Sequence, residues 1–203
     1  MIHTKQPFFG EAEPAWDIAQ LFPAQGEWTE DDYLALETNR LVEFSHGHVE
    51  VLPMPSVSHQ LIVRMLFRLL EKFVMEHNLG EVLFAPVSVQ LWPGKYREPD
   101  VVFISTTQRE RITQQYLIGA DLVMEVISPD DRNRDVVKKR REYAQAKISE
   151  YWLVDPEQHT ITVLILDGVH YLEHGVFGQG DQAISRLLAG FMVEVSAVFV
   201  EVQ

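Results

Sequence analysis

Residues 121–128 read DLVMEVIS, an aliphatic run broken only by Glu125 between Met124 and Val126. A run this short, rich in β-branched residues and closed by a serine, reads as a strand. With a period of two, Leu122, Met124, Val126 and Ser128 face one side, and Val123, Glu125 and Ile127 the other. Glu125 is then a carboxylate among aliphatics. Buried charges are paired or hold metal ions, because desolvation is otherwise costly. The plainer reading is an edge strand with Glu125 in solvent.

Working toward the N-terminus, residues 97–104 read REPDVVFI, a second strand for which Pro99 suits the first position. Asp100 lies at its mouth, either as a buried carboxylate needing a partner or as a turn-capping aspartate. The run EVLFAPVSVQLW (81–92) is also β-prone. Upstream, Ile62, Met65, Leu66, Leu69, Leu70 and Phe73 recur at helical spacing and predict a helix over 58–78, with Gly80 as its C-cap. The stretch LVEFSHGHVEVLPMP reads as a hairpin turning near Gly47. TEDDYLALETN reads as a short helix opened by a weak capping box between Thr29 and Asp32.

Toward the C-terminus, a helix fits 131–147, followed by three strands in a meander, EYWLVDP, TITVLILDG and HYLEHGVFG. The tail ISRLLAGFMVEVSAVF is open between helix and strand. Helices among more numerous strands predict an α/β (α+β) domain with a mixed sheet flanked by helices. Residues 1–27 read as an N-terminal arm and 28–203 as a single domain.

The 203 residues include no cysteine, which excludes disulfides, thiolate zinc sites and a cysteine nucleophile, and fits a reducing compartment. The first twenty residues show no secretory pattern, and the apolar runs fall short of the ~18 residues of a membrane span. The expectation is a soluble, cytoplasmic protein without membrane contact. A net charge of −13 disfavours nucleic-acid binding through bulk electrostatics. The charge is uneven, however: RNRDVVKKRR (132–141) carries six bases against one acid and is compatible with a local anionic ligand.

Two carboxylates on successive strands, Asp100 and Glu125, precede the basic helix that carries Lys139. Asp135 lies four residues before Lys139, and an exposed ion pair is the plainer reading of that lysine. Mg²⁺ is typically held by one or two carboxylates together with waters and substrate phosphates. A lysine beside such a site would offset charge on a phosphate, a set of parts suited to phosphodiester hydrolysis. A rival reading is a zinc or iron site built from His46, His48 and His59.

The segments EFSHGHVEVLPMPSVSH, REPDVVFI, LVMEVISPDDRNRDVVKKRREY and ISEYWLVDP together resemble the Uma-type family of restriction-endonuclease-like proteins, a branch of the PD-(D/E)XK nuclease superfamily. The likeness covers about 28 to 199. It implies a restriction-endonuclease-like mixed sheet core and Mg²⁺- or Mn²⁺-dependent hydrolysis of DNA. By position it implies Asp100 and Glu125 as metal ligands, joined by the backbone carbonyl of Val126. The usual lysine of the second motif falls on Ile127, and the resemblance implies its replacement by Lys139, flanked by Asp135 and Tyr143. His59 matches a family histidine, expected either as a neutral imidazole that a helix N-terminus directs into the cleft or as a capping or hydrogen-bonded histidine. Glu43 matches an early glutamate, either joining the acidic cluster or exposed on the hairpin. The family's Asp-Gly-Glu turn reads His46-Gly47-His48 here, which keeps open a nuclease-like protein that binds a partner without cutting. The basic run 132–141 is the expected DNA-backbone contact, and a two-fold homodimer the expected assembly.

Overall fold

The computed structural model describes residues 22–38, 40–128 and 131–199. Most of the expected arm therefore lies outside the described residues. Helix α1 (Glu30–Leu34) opens with the capping box: the Thr29 hydroxyl accepts from the Asp32 N–H at 3.1 Å, and Asp32 accepts from the Thr29 N–H at 2.9 Å. Strands β1 (Val42–Ser45) and β2 (His48–Val51) form the expected hairpin. Its turn residues, His46 (φ 46°) and Gly47 (φ 83°), are both left-handed, which matches the twist of the flanking strands. A Cβ on Gly47 would lie 2.5 Å from the Gly26 carbonyl oxygen, so this position requires glycine.

Helix α2 (Val57–His77) starts where the Ser56 side chain accepts from the His59 N–H at 3.1 Å. It buries Ile62, Val63, Leu66, Leu70 and Val74. Its cap is Asn78 (φ 53°) and not Gly80, which opens the next strand; asparagine tolerates the left-handed cap conformation. Strands β3 (Gly80–Phe84), β4 (Val89–Trp92), β5 (Lys95–Arg97), β6 (Val101–Ser105), β7 (Leu117–Ile118) and β8 (Leu122–Val126) follow. The helix expected over 131–147 is shorter and irregular, with a π-helical turn over Arg134–Lys139 that passes into α3 (Arg140–Gln145). The meander is present as β9 (Glu150–Asp155), β10 (Thr160–Asp167) and β11 (His170–Phe177). The tail resolves into both types: a small hairpin of β12 (Gln182–Ile184) and β13 (Met192–Glu194), then α4 (Val195–Val198).

Six strands form the main sheet in the order β11-β10-β9-β8-β6-β3, and β2-β1-β5-β4-β7 form a smaller one. In the main sheet β8 and β9 run parallel, in register from Leu122 opposite Glu150 to Val126 opposite Val154. A parallel pair needs a crossover, here the segment carrying the π turn and α3. The strand alternation read from DLVMEVIS holds on both faces. Leu122, Met124 and Val126 join α2 and the small hairpin in one core, whereas Val123 and Ile127 join Tyr143, Tyr151 and Leu153 in another. This is the mixed α/β architecture expected from the sequence. A third cluster, Trp28, Tyr33, Val42, Phe44 and Tyr96, seats α1 on the smaller sheet.

Candidate active site

The crossover helix lies on the face of the main sheet to which Glu125 points. That geometry delivers Lys139 to Glu125: the ammonium lies 2.9 Å from Glu125 Oε2, 3.2 Å from Asp135 Oδ1 and 3.9 Å from Glu43 Oε1. The side chains of Lys139 and Glu125 are 5% and 3% exposed, so the Asp135–Lys139 pair expected on the surface is internal. The Tyr143 hydroxyl donates to Glu125 Oε1, and the Tyr151 hydroxyl donates to the Asp135 backbone carbonyl at 3.1 Å.

Asp100 enters from the start of β6. Its Oδ2 accepts from the Val126 N–H at 2.8 Å, which ties it to the residue after Glu125, and lies 3.3 Å from Nε2 of His59 in the first turn of α2. Asp100, Glu125, Val126, Lys139 and His59 are therefore contiguous. Burial raises the Glu125 carboxyl above its ordinary range, and the negative charges of Asp100 and Asp135 add to this; Lys139 opposes it without cancelling it. Burial works against charge on Lys139, yet Glu125, Asp135, Glu43 and Asp100 outweigh it and hold the ammonium protonated. Burial likewise opposes a charged His59, but the Asp100 carboxylate raises its pKa. The shift runs against the neutral imidazole expected at a helix N-terminus, because a carboxylate in contact acts more strongly than the fractional charge of the dipole.

Glu43 is 1% exposed, which corrects the alternative of a surface hairpin acid. It is held by Arg97 and Arg134. Arg97 also makes a two-point contact with Glu142, at 2.7 and 2.9 Å, and Lys95 reaches Glu142 at 2.8 Å. The sequence reading missed Arg97, Lys95, Glu142 and Arg134 as a network. One signal was present: in KYREPD, period two places Lys95 and Arg97 on one face of a strand.

Several bases of the run 132–141 are engaged within the fold, while Arg132, Lys138 and Arg141 keep exposed surface. Arg132 pairs with Asp155, Arg134 with Glu43 and Glu50, Lys138 lies 3.8 Å from Glu50, Lys139 is buried, and Arg140 donates to the Tyr171 carbonyl at 3.0 Å. The histidine-metal reading also fails to assemble. The ring of His46 faces Gly94 and accepts from the Trp92 indole at 3.4 Å, His48 is exposed against Gly26, and His59 is on Asp100. His48, where the resemblance implies a turn glutamate, contacts the His46 carbonyl at 3.1 Å and, among the described residues, forms no hydrogen bond or ion pair with Asp100, Glu125 or Lys139.

Among the described residues no three His, Asp or Glu side chains are grouped to hold a metal ion. Two carboxylates and one backbone carbonyl remain, a donor set that suits Mg²⁺ or Mn²⁺ because these ions retain waters and phosphate ligands. The residues fit such an ion. The His59 imidazole already rests on Asp100, with Nε2 3.3 Å from Oδ2, so this carboxylate has an oxygen turned toward the site. Burial raises the Glu125 carboxyl, and an added cation would act against that shift in the same sense as Lys139.

The sequence model of the Uma2 family, described as "Putative restriction endonuclease", matches residues 30–196. The chain is similar in fold to the crystal structure of "a putative nuclease belonging to DUF820" from Anabaena variabilis, with a TM-score of 0.70 and 20% identity, over 85% of this chain and 97% of the other. Among curated proteins none matches the sequence. No helix among the described residues is long and apolar enough to cross a membrane.

Proposed function

The chain belongs to the Uma2 family of restriction-endonuclease-like proteins, and from that membership and the buried acid–lysine cluster we propose that it hydrolyses DNA phosphodiester bonds with a divalent cation. Mg²⁺ or Mn²⁺ held by Asp100, Glu125 and the Val126 carbonyl would polarise a phosphate oxygen and lower the pKa of water. Lys139 supplies a fixed positive charge beside Glu125, where it offsets negative charge developing on the phosphate. Asp135 and Glu43 hold that ammonium in place, and Tyr143 fixes the Glu125 carboxylate. His59 orients Asp100 through Nε2. Its buried Nδ1 has no hydrogen-bond partner among the described residues and is suited to hold a proton at a water or phosphate oxygen. A two-fold homodimer in the cytoplasm, cutting both strands, belongs to the same proposal.

The observation that carries this reading is the convergence of Lys139 on Glu125 at 2.9 Å while Asp100 is tied at 2.8 Å to the next residue of the same strand. The test is plasmid cleavage in Mg²⁺ or Mn²⁺ against the Asp100→Asn and Glu125→Gln variants. The expected result is metal-dependent cleavage that either substitution lowers by at least about 100-fold. Cleavage indifferent to both substitutions would contradict it. Metal binding without any cleavage would favour a nuclease-like binding protein, which the internal engagement of the basic run already suits.

A further inference from the structure

Phe84 ends β3 and lies directly opposite Val101, the residue after Asp100, and the next backbone N–H, that of Ala85, donates to the Asp100 carbonyl at 3.3 Å. β3 is an edge strand of the main sheet. A large aromatic thus stands beside the candidate site, yet it is 52% exposed. It is not loose, because Phe67 of α2 packs against it edge-on with ring centroids 4.7 Å apart. On α2, Arg64 is three residues from Phe67 and four from Arg68, which makes it a neighbour of each on the helix surface. Both arginines are exposed, and among the described residues neither forms an ion pair, whereas Lys72 on the same helix reaches Glu76 at 3.9 Å. The helix that carries these cations also delivers His59 to Asp100.

We propose that Phe84, backed by Phe67 of α2, is a docking platform for a single DNA strand, with an unpaired base stacked on Phe84 and neighbouring phosphates held by the exposed Arg64 and Arg68 of the same helix. As a statement about substrate it rests on the nuclease reading, and it narrows the substrate to DNA with a single-stranded or frayed segment. Two features favour a single strand over an intact duplex. First, the bases of a duplex are paired and stacked, so an exposed ring can engage a base only once it is freed. Second, the chain carries −13 overall and Arg134 and Lys139 of its basic run are paired internally, so phosphate contacts alone favour a duplex of high charge density only weakly. Stacking on an aromatic is sequence-tolerant and adds affinity that does not depend on net charge. An apolar protein partner would not call for the two cations beside the ring.

The test is fluorescence anisotropy in EDTA with a labelled oligo-dT and a blunt duplex of equal length, so that binding is read without cleavage. The wild type is expected to bind the single strand at least about tenfold more tightly than the duplex. Phe84→Leu, which keeps apolar bulk and removes the ring, should weaken single-strand binding by about tenfold, while Phe84→Trp should retain it. Arg64→Gln and Arg68→Gln should each lower the slope of log affinity against log salt by about 0.7. Duplex bound as tightly as single strand, wild-type affinity in Phe84→Leu, or no DNA binding at all would overturn the platform. Single-strand binding that depends on Phe84, without cleavage of any DNA, would uphold the platform and overturn the nuclease reading alone. Asp100-dependent cutting of blunt duplex that is unaltered by Phe84→Leu would do the reverse.

Discussion

Lys139 is surrounded by Glu125, Asp135 and Glu43, and each carboxylate is short of other partners to a different degree. Glu43 keeps Arg97 and Arg134 if the lysine is lost, whereas Glu125 would keep, among the described residues, only the Tyr143 hydroxyl. Lys139→Met should therefore lower the catalytic rate by about 10²–10³-fold with DNA affinity little changed. The same substitution leaves buried acids uncompensated and should cost about 3–5 kcal/mol of stability, less whatever Glu125 recovers by taking up a proton. Tyr143→Phe removes one hydrogen bond from a buried carboxylate and should cost about 1–3 kcal/mol, read as a shift of the urea midpoint at constant slope. If Tyr143→Phe is as stable as the wild type, its bond to Glu125 contributes nothing net, and the tyrosine has no part in fixing that acid.

At the scale of elements, the site depends on two helices approaching one sheet from opposite faces. The α2 residues Leu66 and Leu70 are fully buried against the face formed by Leu122, Met124 and Val126. Leu70→Ala should cost about 2–5 kcal/mol in chemical denaturation, a loss that follows cavity volume. This half of the architecture was legible in the sequence, because the period of α2 and the alternation of DLVMEVIS are properties of side-chain spacing alone. The acid pair was legible for the same reason: a lone Glu125 among aliphatics and Asp100 at a strand mouth are both expensive without partners. The crossover was less legible. Its π turn seats Asp135 and Lys139 inside, and no periodic pattern announces a register change of that kind. The three-residue β5 offers a single step of alternation, Lys95 to Arg97, and the two-residue β7 none, so the Arg97–Glu142 contact and the second sheet remained hidden. The internal pairing of Arg134 was not legible because composition records charges and not their partners, and Glu43 and Glu50 lie far back in the chain on the β1–β2 hairpin.

At the scale of the molecule, the acidic cluster makes stability depend on pH. Burial pushes the Glu98 carboxyl, one residue before the Pro99-Asp100 pair, from 4.5 up to about 7, with Glu43 adding to the shift. A carboxyl with a raised pKa in the folded state binds a proton that the unfolded chain has already released. Its stabilising contribution is complete below about 4.5 and is lost as pH rises toward about 7. Metal-free protein should therefore lose stability between about pH 5 and 7, by at most about 1.4 kcal/mol per pH unit for this group. Glu98→Gln should flatten that slope, and an unchanged profile would show that Glu98 is not the responsible group. Glu125 shifts in the same direction and adds to the dependence.

The claim on which the rest depends is that Asp100, Glu125 and the Val126 carbonyl enclose one divalent-cation position beside Lys139. Anomalous diffraction from crystals soaked in Mn²⁺ tests it most directly. The expected result is a single peak at about 2.1–2.2 Å from one oxygen of each carboxylate, lost in Asp100→Asn. A peak confined to other residues, or none at a concentration of Mn²⁺ that supports cleavage, would contradict it.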